Sequence, residues 1–315
     1  IDEAHRSLAD SYLAVIRHYS DAGAVVLGMT ATPYRADGGG LGDVYQALEA
    51  VASPRQLIAE GFLIEPRVFS APVGARPDLT GVRTRGSDYA EADLAEAMNE
   101  QRLVGGIVEH GKRHAAGVRT VAFAVNVAHS LSIAASFVAS GTAAEHLDGA
   151  TPTRERDAIL ARLERGETLV VSNCGVLCEG WDMPCVKAAV LARPTKSAGL
   201  YLQQAGRILR PFDDTRAVIL DHAGNALAHG LPQDDRDFSL DATQKRSGGG
   251  PTKTCPECDT VMPLGLACVP NAASSFAPAN PRSLPPSMPM VSSWRSMPAQ
   301  ISGCARLGKS SAPNG

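Results

Sequence analysis

The 315-residue sequence predicts an α/β protein, parallel sheets with flanking helices, and three observations carry that prediction. Between Thr120 and Leu220, short apolar runs alternate with longer segments of helical periodicity, the pattern of a parallel sheet covered by helices. The apolar runs read as strands buried on both faces. The chain is 44% hydrophobic with a formal net charge of −3, so it can bury substantial cores and has room for two domains.

In order, Ile1 reads as the end of an apolar strand, so the chain opens in mid-domain. Asp2 and Glu3 then stand at a strand's carboxyl end, where open α/β sheets place ligands. A helix is expected from about Leu8 to Tyr19 with Leu8, Tyr12, Val15 and Ile16 inward, then a buried parallel strand from Ala24 to Met29, ended by the turn Thr30-Ala-Thr-Pro33. The glycine-rich run from Tyr34 to Gly42 reads as a connection without chemistry. A short helix from Pro54 to Gly61 precedes Phe62 to Phe69, which carries the chain into a second lobe.

A polar loop spans about Pro72 to Ser87, and one helix or a pair runs from Ala90 to His114. Strands follow at Thr120 to Val125, Glu145 to Leu147, Thr168 to Val171, Val186 to Leu191 and Ala217 to Leu220. Helices fall between them, one of them started by Thr151 as N-cap with Pro152 at the first helical position. After Asp241 the pattern stops. Ser247-Gly-Gly-Gly-Pro251 is a linker, and Cys255-Pro-Glu-Cys258 opens something small.

No apolar run reaches the length of a membrane span, and no basic, apolar and cleavage-site sequence stands at the start, so the expectation is a cytoplasmic protein without a membrane partner. The charge argues against a strongly basic nucleic-acid binder, although phosphates gripped by backbone N–H groups and a few cations need no such excess. Among seven cysteines, Cys174, Cys178 and Cys185 read as small buried hydrophobes.

The stretch Gly199-Leu-Tyr-Leu-Gln-Gln-Ala-Gly-Arg-Ile-Leu-Arg-Pro211 is expected to set Gln203, Arg207 and Arg210 on one helical face. Two fixed cations there suit a phosphate, since guanidinium presents a rigid planar fork. Taken alone, the same stretch is equally a surface helix with solvated arginines.

Together with Ile1-Asp2-Glu3-Ala4-His5 and Gly28-Met-Thr-Ala-Thr-Pro-Tyr-Arg35, that stretch resembles motifs VI, II and III of superfamily 2 DEAD/DEAH-box-like helicases. Val170 to Pro184 resembles motif V, with Gly180 and Asp182 matching its Gly-x-Asp. Asp221-His-Ala-Gly-Asn225 and the Cys-Pro-Glu-Cys knuckle look most like the RadD-type branch, with restriction-enzyme motor subunits as near relatives.

The resemblance implies RecA-like sheets in one partial lobe (1–65) and one complete lobe (66–240), then a linker and half of a zinc ribbon (241–268) and a disordered tail (269–315). It implies ATP and Mg²⁺ as cofactors, with Asp2 on the metal, Glu3 activating water, and Arg207 and Arg210 as catalytic arginine fingers. Asp182 would meet ribose or an arginine, and Gly180 and Gln203 would complete the nucleotide site. His5 would couple toward Thr30 or Thr32. Asn126, His129, Ser172 and Asn173 would face nucleic-acid phosphates, with DNA the expected partner and RNA left open.

No G-x-x-x-x-G-K-[ST] occurs in the sequence. The expected function is therefore a fragment of an ATP-dependent helicase or translocase, inactive by itself. The alternatives are a non-enzymatic RecA-like remnant that binds nucleic acid weakly, or a piece of a restriction motor. Oligomeric state has no signal. Cys255, Cys258 and Cys268 supply three thiols of a four-thiolate Zn²⁺ site. The Pro-, Ser- and Ala-rich tail reads as coding in the wrong register: permitted codons for Cys268 to Phe276, shifted in frame, encode a second Cys-Pro-Glu-Cys.

Overall fold

The computed structural model describes residues 1–33, 40–72, 75–178, 180–213, 215–241 and 249–266. Most of the glycine-rich run, part of the linker, Cys268 and the tail after it lie outside the described residues.

A one-turn 3-10 helix (Ala4–Arg6) opens the chain, followed by α1 (Asp10–Asp21) and α2 (Pro54–Ala59). Strand β1 (Pro66–Ser70) leads to a small hairpin of β2 (Thr84–Arg85) and β3 (Asp88–Tyr89), then α3 (Glu91–Met98) and α4 (Gln101–His114). The core alternates β4 (Thr120–Phe123), α5 (Val127–Ala139), β5 (Ala144–Leu147), α6 (Thr153–Arg165), β6 (Val170–Asn173), β7 (Ala188–Leu191), α7 (Ala198–Gly206), β8 (Ala217–Asp221) and α8 (Asn225–His229). A second hairpin, β9 (Thr252–Thr254) and β10 (Val261–Pro263), follows.

Six strands form one sheet in the order β1-β8-β7-β4-β6-β5, parallel at every pairing. Alternate residues enter two separate cores. Val121, Phe123, Ala189 and Leu191 pack with Ile159, Leu163 and Tyr201 on one face, while Ala122, Ala124, Ala188 and Val190 pack with Ile107, Ile133 and Phe137 on the other. This three-layer, RecA-like α/β sandwich explains why the strands read as uninterrupted apolar runs: both faces are covered.

Three expectations are corrected. Residues 24–29 form no strand, and Val25, Leu27 and Met29 are exposed at 96%, 71% and 58%. The segment runs beside residues 1–4, with Met29 N–H donating to Ile1 O (2.8 Å) and Ala4 N–H to Met29 O (3.0 Å), but no other strand or helix layer among the described residues covers it. For the same reason only Ile16 of the expected inward face of α1 is buried. The start of α6 also differs: Pro152 takes the N-cap position, and the Thr151 hydroxyl accepts from Asp148 N–H instead (3.0 Å).

The 252–263 hairpin carries Cys255 and Cys258 at its turn, both buried, and lies against β1. Ser70 N–H donates to Asp259 O (2.8 Å), and Phe69 bridges Thr260 in antiparallel sense. No cluster of three or more metal-type side chains occurs among the described residues, and the third expected thiol, Cys268, lies outside them. Cys185 is buried as expected, whereas Cys174 and Cys178 are half-buried.

Candidate nucleotide site

The acidic turn is built by backbone geometry. Glu3 takes the left-handed conformation (φ 50°, ψ 52°) as it starts the 3-10 helix, and its N–H donates to Asp2 Oδ1 (2.9 Å). The Asp2 residue is exposed and Glu3 half-buried. His5 Nδ1 lies 3.3 Å from Glu3 Oε2 and 3.2 Å from Thr30 Oγ1. Thr32 N–H donates to Thr30 Oγ1 (3.1 Å), which donates onward to Thr32 O (3.1 Å). His5 thus meets Thr30, and Thr30 meets Thr32. Behind the turn, Ser7 Oγ meets Tyr45 Oη (2.7 Å), and the Tyr45 ring lies so close over Gly28 that no Cβ fits there.

Helix α7 meets this turn. Ser197 caps it, accepting from Leu200 N–H (3.2 Å), and Gln203 Nε2 donates to Thr32 Oγ1 (3.2 Å), 171 residues earlier. The helix stops at Gly206, however, so Arg207 is its C-cap and Arg210 lies beyond it in a turn. The shared helical face expected for Gln203, Arg207 and Arg210 is thus corrected: Ile208 and Leu209 are drawn into the core at 0% and 4% exposure, which ends the helix. Both arginines instead reach the 180–182 turn, where Gly180 is left-handed (φ 66°). Arg207 Nη1 donates to Trp181 O (2.6 Å), and Arg210 pairs with the exposed Asp182 carboxylate.

The expected phosphate contacts fare differently. Asn126 caps α5 by accepting from His129 N–H (2.8 Å). His129 is fully buried, and burial lowers its pKa to about 4, so it stands neutral and away from any phosphate. Ser172 and Asn173 do not form a turn: both lie in β6 at 0% exposure, paired with β4 and β5. Ser172 Oγ meets Ser130 Oγ (2.8 Å), which meets His146 Nδ1 (2.8 Å). Asn173 donates from Nδ2 to Ala122 O (2.9 Å) and accepts from Leu177 N–H (3.1 Å). These two residues hold the sheet together.

Lys187 was missed. It is 1% exposed, its ammonium donates to the carbonyl of Arg210, and burial lowers its pKa to about 8. The available signal was a lone lysine inside the apolar run from Val186 to Leu191. Also missed was the role of Asp221, a fully buried carboxylate that accepts from the N–H groups of Ala223, Asn225 and Ala226 (3.2, 3.1 and 2.7 Å) and starts α8. Burial raises its pKa to about 6.

The donor set fits a magnesium nucleotide. Hard carboxylate oxygens at Asp2 and Glu3 suit Mg²⁺, which takes one or two protein carboxylates when phosphates supply the rest. On α7 and just beyond it stand the Gln203 amide, held by the Thr32 hydroxyl, and two guanidinium groups oriented by the Trp181 carbonyl and the Asp182 carboxylate.

Comparison with known proteins gives the following similarities. Residues 102–211 match the family model described as the helicase conserved C-terminal domain. A 51.5 kDa protein of a Lactococcus phage (isolate 7-9) is 32% identical over 268 residues, covering 84% of this chain and 58% of that protein. The putative ATP-dependent helicase IRC3 of Saccharomyces cerevisiae is 34% identical over 217 residues, covering 67% and 31%. The putative mitochondrial ATP-dependent helicase irc3 of Schizosaccharomyces pombe is 32% identical over 230 residues, covering 70% and 37%. The chain therefore spans between about a third and three fifths of the length of these relatives.

Proposed function

We propose that this chain, a superfamily 2 helicase-like protein of RecA-like fold, supplies the arginine-finger lobe and the acidic turn of a DNA-dependent ATPase that translocates on or opens DNA. The observation that carries the reading is the contact between the two halves of the site: Gln203, on the helix leading to Arg207 and Arg210, donates to Thr32, which connects through Thr30 and His5 to Glu3.

In this reading Asp2 and Glu3 hold the metal and orient water, while Arg207 and Arg210 stabilise charge on the transferred phosphoryl group. Bound Mg²⁺ supplies Lewis-acid neutralisation of the phosphate oxygens. The partner is DNA, with RNA left open, and Cys255 and Cys258 form half of a zinc site whose second Cys-Pro-Glu-Cys is encoded in the shifted reading frame.

The 315 residues contain no phosphate-binding G-x-x-x-x-G-K-[ST], so the coding DNA upstream of Ile1 is read for that loop and the extended protein assayed. DNA-stimulated ATP turnover is expected, with Arg207→Ala and Arg210→Ala each lowering it by roughly 10³. Near-normal rates in both variants would make the end of α7 a surface turn and favour a non-enzymatic role.

A further inference from the structure

The 84–89 hairpin has strands of two residues each, too short to stand alone in water. It is held by the 193–197 turn, which follows β7 at the carboxyl edge of the sheet and leads into α7. Asp88 makes the clamp: Oδ2 accepts from Thr195 Oγ1 (2.8 Å), and Oδ1 accepts from the N–H groups of Lys196 (2.8 Å) and Tyr89 (2.9 Å). Lys196 Nζ donates to Thr84 Oγ1 (2.5 Å) and sits 4.8 Å from the centroid of the Tyr89 ring. From the other side, Asn225 accepts from Thr195 N–H (3.1 Å) and donates to Arg193 O (3.0 Å).

This clamp has a consequence for charge. Arg85 stands opposite Asp88 in the hairpin register, where opposite charges ordinarily pair. Asp88 is turned instead onto the Thr195 hydroxyl and the Lys196 N–H, with Arg193 at 4.0 Å, and among the described residues Arg85 has no ion pair. Arg83, one residue outside the hairpin, is neutralised by a two-pronged contact with Asp93 (2.7 and 2.8 Å). The result is two exposed cations, Arg85 on the hairpin and Lys196 over the half-buried Tyr89 ring.

We propose that the 84–89 hairpin and the 193–197 turn together form a docking surface for the sugar–phosphate backbone of a nucleic-acid strand, with Arg85 and Lys196 contacting phosphates. The proposal rests on the nucleic-acid reading above, and its position is favoured by the rule that ligands meet open parallel sheets at their carboxyl edge. Such contacts position the strand without reading its sequence.

The test is fluorescence anisotropy of a labelled 20-nucleotide oligo-dT with the 315-residue chain at several salt concentrations. Arg85→Glu should weaken binding at least tenfold and reduce the slope of log affinity against log salt by about 0.7, the loss of one single-strand phosphate contact, while Arg85→Lys should bind nearly as the parent does. Arg85→Gln gives the same readout if the reversed charge disturbs the hairpin. Normal binding by Arg85→Glu and Arg85→Gln would overturn the docking surface and leave the nucleic-acid reading standing. Failure of the parent chain to bind at 50 mM salt would overturn both.

Discussion

Thr32 Oγ1 accepts a hydrogen bond from Gln203 Nε2 at 3.2 Å, joining a turn near the start of the chain to the helix that leads to both arginines of the site. Thr32 is 4% exposed, so the bond is shielded from water. Gln203→Ala should remove about 1 kcal/mol of local stability and raise hydrogen exchange at the amides of residues 29–32 about fivefold. Unchanged exchange there would show that the turn stands without α7.

The buried imidazoles set an acid limit on the fold. Burial lowers His110 and His222 to about 3, with each other's ring 3.1 Å away, and lowers His114 and His129 to about 4. Because these pKa values lie below the unfolded value, the contribution is intact above about pH 6.5 and is lost as pH falls toward 4. Urea midpoints should therefore drop between pH 7 and pH 5. His129→Gln should reduce the slope by one proton, about 1.4 kcal/mol per pH unit, and equal slopes in parent and variant would count against its buried neutral state.

Lys187 acts with the same sign in a higher pH window. Its folded pKa, about 8, lies below the unfolded value, so the unfolded chain binds the extra proton and stability rises as pH increases from 8 toward 10.5. The rise amounts to ~3 kcal/mol at most, and it should be missing in Lys187→Met. Parallel pH curves for the two proteins would mean that water reaches the ammonium.

Asn173 separates a structural role from a phosphate contact. Asn173→Ala strands the Leu177 N–H, takes a donor from Ala122 O, and should cost roughly 2 kcal/mol in urea unfolding. A variant of parental stability that binds oligo-dT more weakly would restore the phosphate-contact role expected from the sequence.

The residues that were legible and those that were not divide along physical lines. Strands β4, β6, β7 and β8 could be read because burial on both faces writes itself as consecutive apolar residues. The same signal misled at residues 24–29, since an apolar run records what could be covered and not whether a cover is present. The His5, Thr30 and Thr32 group followed from motif order. The Arg210 turn did not, because helical spacing continues on paper past Gly206, whereas burial of Ile208 and Leu209 decides where the backbone turns. The Asp88 clamp left no periodic trace at all: four strand residues in a polar stretch look like loop, and the fold of a carboxylate onto a hydroxyl 107 residues away is a tertiary fact.

The 252–263 hairpin also bears on how the molecule behaves in a tube. Strand β1 is the outermost strand on its side of the sheet, and among the described residues only Thr260 and Asp259 occupy its outward hydrogen-bonding groups. A chain cut before Thr252 would present an open row of amides and carbonyls flanked by Val68 and Phe69, an invitation to strand-to-strand association between copies. The Cys-Pro-Glu-Cys turn thus serves as a guard on solubility whether or not a metal is bound.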